Sequence, residues 1–534
     1  MKLSLLRTRD ALASGLIALG LSLSPAFAPT AAAAVAVADV LSYDDARHLL
    51  NRAGFGATQS EIERTAGMTR EQAARKLLDG ARTTPVTAPP AWTAETGPLR
   101  YPRRGVDASD AEKKMFQQEQ IREGLELRAW WVGEMLATTS PLTERMTLFW
   151  HNHFVSSQQK VKLSELMYRQ NATLRANALG NFADLLHAVA RDPAMVIYLD
   201  NAQNRKGSPN ENFAREVMEL FTLGEGNYSE QDIKEAARAF TGWSLDRASG
   251  QFVFRRFIHD DGVKTVLGRT GNLDGDQVLD ILLAQPATAE FITRKLWREF
   301  VSPDPDEVTI RRIARRFRDS RYDIKVALHD IFTSEAFYAR ENRAVLVKSP
   351  VELVVGTLRQ FDMKPREAMP FAVAAAGMGQ NLFAPPNVKG WPGQETWINA
   401  STLLARKQFL ERLFRGDEAQ ARMIPGTYAQ AAATSDAPMM GTIPKQAVQP
   451  QGALDPDKAR QVRFMREMER GMSGVPFESG VWLSQFDTSR GTATRGGAAS
   501  RMLLATAPQS APDANSEPLI LVRALVLDAA YQLK

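Results

Sequence analysis

Helical periodicity punctuated by capping residues runs along almost the whole chain, and strand-type alternation appears at one place only, Gln251–Ile258. Over 534 residues, that pattern predicts a mainly α protein. The expected architecture is a large multi-helix globular body with a small β-hairpin insertion and mobile C-terminal loops. Ser109 with Glu112, and Ser208 with Glu211, are Ser-x-x-Glu pairs. In such a box each side chain satisfies a main-chain N–H that the first helical turn leaves unpaired. Asp261-Gly262 between β-rich runs is a hairpin signal, so the hairpin is expected over 251–267 with His259, Asp260 and Asp261 at its tip. His48, set among Leu49, Leu50 and Phe55, reads as a packed core histidine.

The N-terminus bounds the compartment. Lys2, Arg7 and Arg9 precede an apolar run from Ala11, and Ala26-Phe-Ala28 is an A-x-A cleavage site. Residues 1–28 therefore read as a signal peptide and 29–42 as a lead-in, and the protein is expected to be exported, periplasmic or secreted. The helical body should occupy 43–424. Low-complexity loops follow over 425–515, around a helix at 455–470, and a C-terminal helix at 516–534 docks back on the body. No later run reaches the roughly 18 apolar residues of a membrane span, so none is expected after signal cleavage. The chain has no cysteine, which leaves packing to supply the stability that exported proteins often draw from disulfides. With 66 basic and 61 acidic side chains and a net charge of +5, the balance argues against a nucleic-acid partner.

The stretch Asp200–Gly224 passes from a polar loop into a helix with Pro209 in its first turn and Gly224 as a stop. Phe213, Ala214, Val217, Met218, Leu220 and Phe221 fall on one arc, while Asn212, Glu216 and Glu219 fall within about 60° of one another on the other. Glutamates spaced i, i+3 can hold a metal when they face inward; they can equally face water, balanced by Arg215 and Lys206. His151 and His153 lie about 200° apart on a continuous helix, so they share an ion only if the helix ends near Trp150. Trp391 and Trp397, in an aromatic loop, either form a platform for a sugar or peptide or plug the helical body.

Several segments together resemble one family. They are His-Leu-Leu-Asn-Arg-Ala-Gly-Phe-Gly (48–56), Phe-Trp-His-Asn-His-Phe (149–154) and Asn-Glu-Asn-Phe-Ala-Arg-Glu-Val-Met-Glu-Leu-Phe-Thr-Leu-Gly (210–224). Ala-Arg-Ala-Phe-Thr-Gly-Trp (237–243), His-Asp-Asp-Gly-Val-Lys (259–264) and Val-Lys-Gly-Trp-Pro-Gly (388–393) complete the set. The chain resembles the bacterial exported domain-of-unknown-function family 1800 from about residue 43 onward. The resemblance implies a mostly helical protein of the envelope with no established activity. It also implies a possible partner in a second exported family, numbered 1501, that is similar to phosphatases and sulfatases.

Two readings follow from these polar motifs. In one, the protein is a metal-assisted hydrolase of an envelope or extracellular polymer. His153 (or His151), Glu216 and Glu219 then bind manganese, iron or zinc, and Asp260 or His259 completes the site. In the other, it is a non-enzymatic binding or assembly factor, and Asn152, Asn210, Asn212, Arg215 and Lys264 belong to a buried network that fixes the helices. The two readings separate on one question: whether the helix from 209, the end of the helix from 141 and the segment 259–262 converge.

Overall fold

The computed structural model describes residues 39–94, 109–246, 248–415, 456–486, 494–510, 513 and 516–534. The segment expected as a signal peptide, most of the expected lead-in and the expected loop 425–455 lie outside the described residues. The chain is mainly α, as the periodicity requires, with two small antiparallel hairpins. Leu41–Lys534 forms one compact unit. No helix among the described residues is long and apolar enough to cross a membrane.

The helix Pro141–His153 is the pivot of the packing. It is buried along nearly its whole length, and Pro141 sits in the first turn, where a missing N–H costs nothing. Met146, Phe149 and Trp150 pack into one apolar cluster with Phe154, Phe182, Phe213, Phe221 and Trp297. Leu148 faces a second cluster that holds Trp131, Leu353, Phe361, Phe414 and Leu525. Each fully buried large apolar side chain contributes roughly 1.5–3 kcal/mol, so the two clusters carry the fold without cross-links.

Several buried charges along this framework are paired. Glu144 accepts from the Trp131 indole at 2.8 Å and from the Arg175 guanidinium at 2.6 and 2.9 Å. Arg175 also donates to Asn171 and lies over the Trp130 ring. Arg145 bridges Glu299 and Glu352, and Lys534 adds a second cation to Glu352. Burial alone would raise the Glu352 carboxyl, but Arg145 and Lys534 hold it down to about 2.

Several expectations need correction. The Ser109/Glu112 box forms at the start of Asp110–Ala137, but the Ser208/Glu211 box does not. Ser208 turns back, its N–H reaching the Arg205 carbonyl, and the helix begins at Asn212. Asn210 wins that competition: its side-chain oxygen takes the Asn212 N–H at 3.0 Å, the local capture that favours Asn at turns. The single hairpin expected at 251–267 is two hairpins. Trp243–Leu245 pairs with Phe252–Phe254, and Lys264–Val266 pairs with Arg269–Gly271. The second turns at Leu267-Gly268, where both residues have positive φ, as a primed turn requires. Asp261-Gly262 is not a hairpin tip, because Asp260 is drawn inward by Arg238. The region expected as loop over 487–515 contains the helix Arg495–Leu503, with Met502 and Leu503 buried. The helix Pro518–Leu527 docks through Leu521, Val522, Leu525 and Val526.

Candidate functional site

The helix from Asn212 changes pitch after one turn. Val217–Thr222 is a π-helix, with the Leu223 N–H reaching the Met218 carbonyl five residues back. Such wide turns recur at functional sites. Here the consequence is visible at its end, where the Phe221 carbonyl meets the His153 imidazole Nε2 at 3.2 Å. The other nitrogen, Nδ1, accepts from Lys295 Nζ at 2.9 Å. His153 is therefore the neutral tautomer protonated at Nε2. Burial, and then the charge of Lys295, hold its pKa well below the usual imidazole value. Burial likewise pushes Lys295 down to about 8. Both ring nitrogens of His153 are thus engaged within the protein.

His151 faces away, as a continuous helix dictates. Its Nε2 accepts the Phe383 N–H at 3.2 Å, and Trp131, Phe383 and Trp391 pack around the ring. Burial pushes its pKa down to about 3. Between the two histidines, Asn152 grips the main chain of Trp391. Trp391 and Trp397 are 4% and 8% exposed, so they plug the body and offer no platform.

The carboxylates do not complete a metal shell. Glu216 and Glu219 share the half-buried face of their helix, and burial, then the Glu219 charge, raise the Glu216 carboxyl. Glu219 accepts from the Tyr228 hydroxyl at 2.7 Å and has Lys389 at 4.0 Å. Arg215 is bound by Glu230 at 2.8 Å and by Glu211. Asp260 is clamped by Arg238, whose hydrogen bond holds the carboxyl down to about 2. His259 is buried and donates from Nδ1 to the Thr241 carbonyl at 2.8 Å. Lys264 Nζ caps the Asp260 and Gly262 carbonyls. Asn204, Asn210 and Asn212 stitch the preceding loop in sequence, ending on the Leu199 carbonyl. Among the described residues, no group of three or more His, Cys, Asp or Glu is placed to hold a metal ion. The motif residues thus act as joints between segments distant in sequence.

Beside this frame lies a cavity of about 1960 Å³. The helix Asp110–Ala137, the turn 158–162, the loop 197–203, the first hairpin and the helix Met369–Gly377 supply its walls. Five cationic side chains line it (Lys113, Arg128, Lys160, Lys162 and Arg255), against the two acids Asp200 and Asp246. Amides from Gln117, Gln159, Gln203 and Asn381 join them. Arg128 and Arg255 were missed at the level of sequence, where nothing connects residues so far apart. One signal was available: Gly124 sits inside a helix, where glycine costs about 1 kcal/mol relative to alanine. A β-carbon there would come within 2.8 Å of Arg128 Nη1 and 2.3 Å of the Gln158 amide.

A family model described as "Protein of unknown function (DUF1800)" matches residues 48–504. No curated protein and no solved structure matches the chain.

Proposed function

The chain belongs to the DUF1800 family, and we propose that it is an exported binding protein that holds an extended polar ligand in the cavity beside its motif frame. The cavity itself carries this reading. At about 1960 Å³ it exceeds the roughly 300–1,000 Å³ of sites built for single small molecules, and suits a segment of a polymer. Export rests on the N-terminal charge, apolar run and A-x-A site.

The motif residues support the same reading from the other side. Metal-assisted hydrolysis needs a histidine with a free nitrogen beside the Glu216–Glu219 pair. His153 instead spends both nitrogens on Phe221 and Lys295, and Asp260 is held by Arg238. A frame of satisfied polar joints keeps cavity walls in place, which is what a binding protein needs.

The test is affinity electrophoresis of the mature protein through gels containing envelope and extracellular polymers, beside Ala376→Trp, which fills the cavity from its wall. Retardation of the parent protein and its loss in Ala376→Trp are expected. Retardation that survives the tryptophan, or none with any polymer, would overturn the proposal.

A further inference from the structure

Two arginines in the cavity wall are oriented by neutral groups and have no carboxylate within ion-pair distance among the described residues. Arg128 donates from Nε to the Asn381 side-chain oxygen at 2.7 Å and from Nη1 to the Gly124 carbonyl. Its Nη2 has no acceptor among the described residues. Arg255 donates from Nε to Ser244 Oγ at 3.3 Å and from Nη2 to the Leu245 carbonyl at 3.2 Å, which leaves Nη1 open.

The acids in the same wall are already engaged. Asp200 takes Lys160 at 2.7 Å. Asp246 accepts from Ser249 and from the Ala248 and Ser249 main chain, all neutral donors, and feels the Arg255 charge only from beyond ion-pair distance. Desolvation brings the Arg128 guanidinium down to about 10, so it stays charged at neutral pH. A partly buried cation with no carboxylate in ion-pair contact and an N–H left open can take an anion from outside. The planar fork of arginine fits an oxyanion.

We propose that Arg128 and Arg255 bind the oxyanion groups of an anionic polysaccharide lying along the cavity. A polysaccharide is favoured over an acidic peptide by the rest of the lining. The amides of Gln117, Gln159 and Gln203 take no partner among the described residues, and neutral amides can both donate to and accept from ring hydroxyls. The inference rests on the cavity-binding reading above, and adds to it the ligand's charge and class.

The experiment titrates the mature protein calorimetrically with polygalacturonate, its methyl ester, dextran sulfate and polyglutamate, at two salt concentrations. The parent protein is compared with Arg128→Met, Arg255→Met and Ala376→Trp, each first checked for an unchanged melting temperature. Polygalacturonate or dextran sulfate should bind, the one that binds distinguishing carboxylate from sulfate. Each arginine variant should weaken that binding by on the order of tenfold or more. The neutral ester should bind by the same order less tightly, and added salt should weaken the complex.

If the ester binds as well as the acid and Arg255→Met changes nothing, the charge assignment falls. The cavity reading then stands if Ala376→Trp still abolishes binding. Binding of polyglutamate alone would overturn the polysaccharide class. Binding of none of the four overturns this inference, while the wider polymer panel above decides the cavity reading. Should Arg128→Met fail to fold, the outcome is read from Arg255→Met, whose arginine is held through the first hairpin.

Discussion

Asn152 holds Trp391 by both main-chain polar groups: its Oδ1 accepts the Trp391 N–H at 2.7 Å and its Nδ2 donates to the Trp391 carbonyl at 3.2 Å. The side chain acts as a splice between the end of one helix and a loop 239 residues later. Gly390 fits against it with φ +80°, and a β-carbon there would come within 2.3 Å of Asn152 Oδ1. Asn152→Leu should cost about 1–3 kcal/mol, because two main-chain groups lose partners together. Urea denaturation measures this. A change inside error would mean water replaces the amide without loss.

His153 should be a stability residue. Its replacement by Ala leaves the Phe221 carbonyl and the Lys295 ammonium without their partner, so a loss of about 2 kcal/mol or more is expected. Elemental analysis of chelator-free mature protein, beside Glu216→Ala, should show no near-stoichiometric metal. Stoichiometric metal lost in both variants would restore the metal-centre reading and remove the one proposed here.

The buried Glu144–Arg175 pair gives a sharper energetic test. Glu144→Ala strands an arginine that is 1% exposed, and takes the acceptor from Trp131 as well. Breaking one partner of such a pair costs about 3–5 kcal/mol. The double variant Glu144→Leu with Arg175→Met should recover much of that loss, as measured by thermal unfolding.

Asp192 should make stability depend on pH. Burial pushes its carboxyl up to about 7 from an ordinary 3.8, despite hydrogen bonds from Met195 and Gln170. The folded state therefore holds the proton more tightly than the unfolded chain. This group's contribution falls as pH rises from about 3.8 to about 7 and is level above. Asn caps a helix as well as Asp and cannot ionise. Asp192→Asn should therefore gain on the parent between pH 4 and pH 8 in urea midpoint. Parallel pH profiles would show that the carboxyl titrates normally.

Gly124→Ala separates helix propensity from packing. Propensity alone favours alanine by about 1 kcal/mol. The added methyl would meet Gln158 and Arg128, both already anchored by hydrogen bonds. No gain in melting temperature is expected, together with weakened anion binding comparable to Arg128→Met. A stabilised variant with full binding would show that Arg128 shifts freely.

The motif residues were legible as a set, but their roles were not. His151 and His153 point apart, as 3.6-residue periodicity requires, and Glu216 and Glu219 both stay half-buried although the π-helix widens the turn between them. Whether His153 binds a metal or a carbonyl depends on Lys295 and Phe221, which lie 142 and 68 residues away. The hairpin at 259–262 was misplaced for a related reason. Asp-Gly suits a turn on local grounds, but the Arg238 guanidinium claims Asp260 through a tertiary ion pair stronger than the turn preference.

The sequence alone determined the succession of helices, caps such as Ser109 with Glu112 and the family, because these depend on contacts within four residues or on short motifs. Tertiary structure alone decided that the polar motifs are joints and that Arg128 and Arg255 face one cavity. That cavity is lined by segments spread from Lys113 to Phe464. Burial and pairing across such separations are set by how helices pack, and no local pattern encodes them.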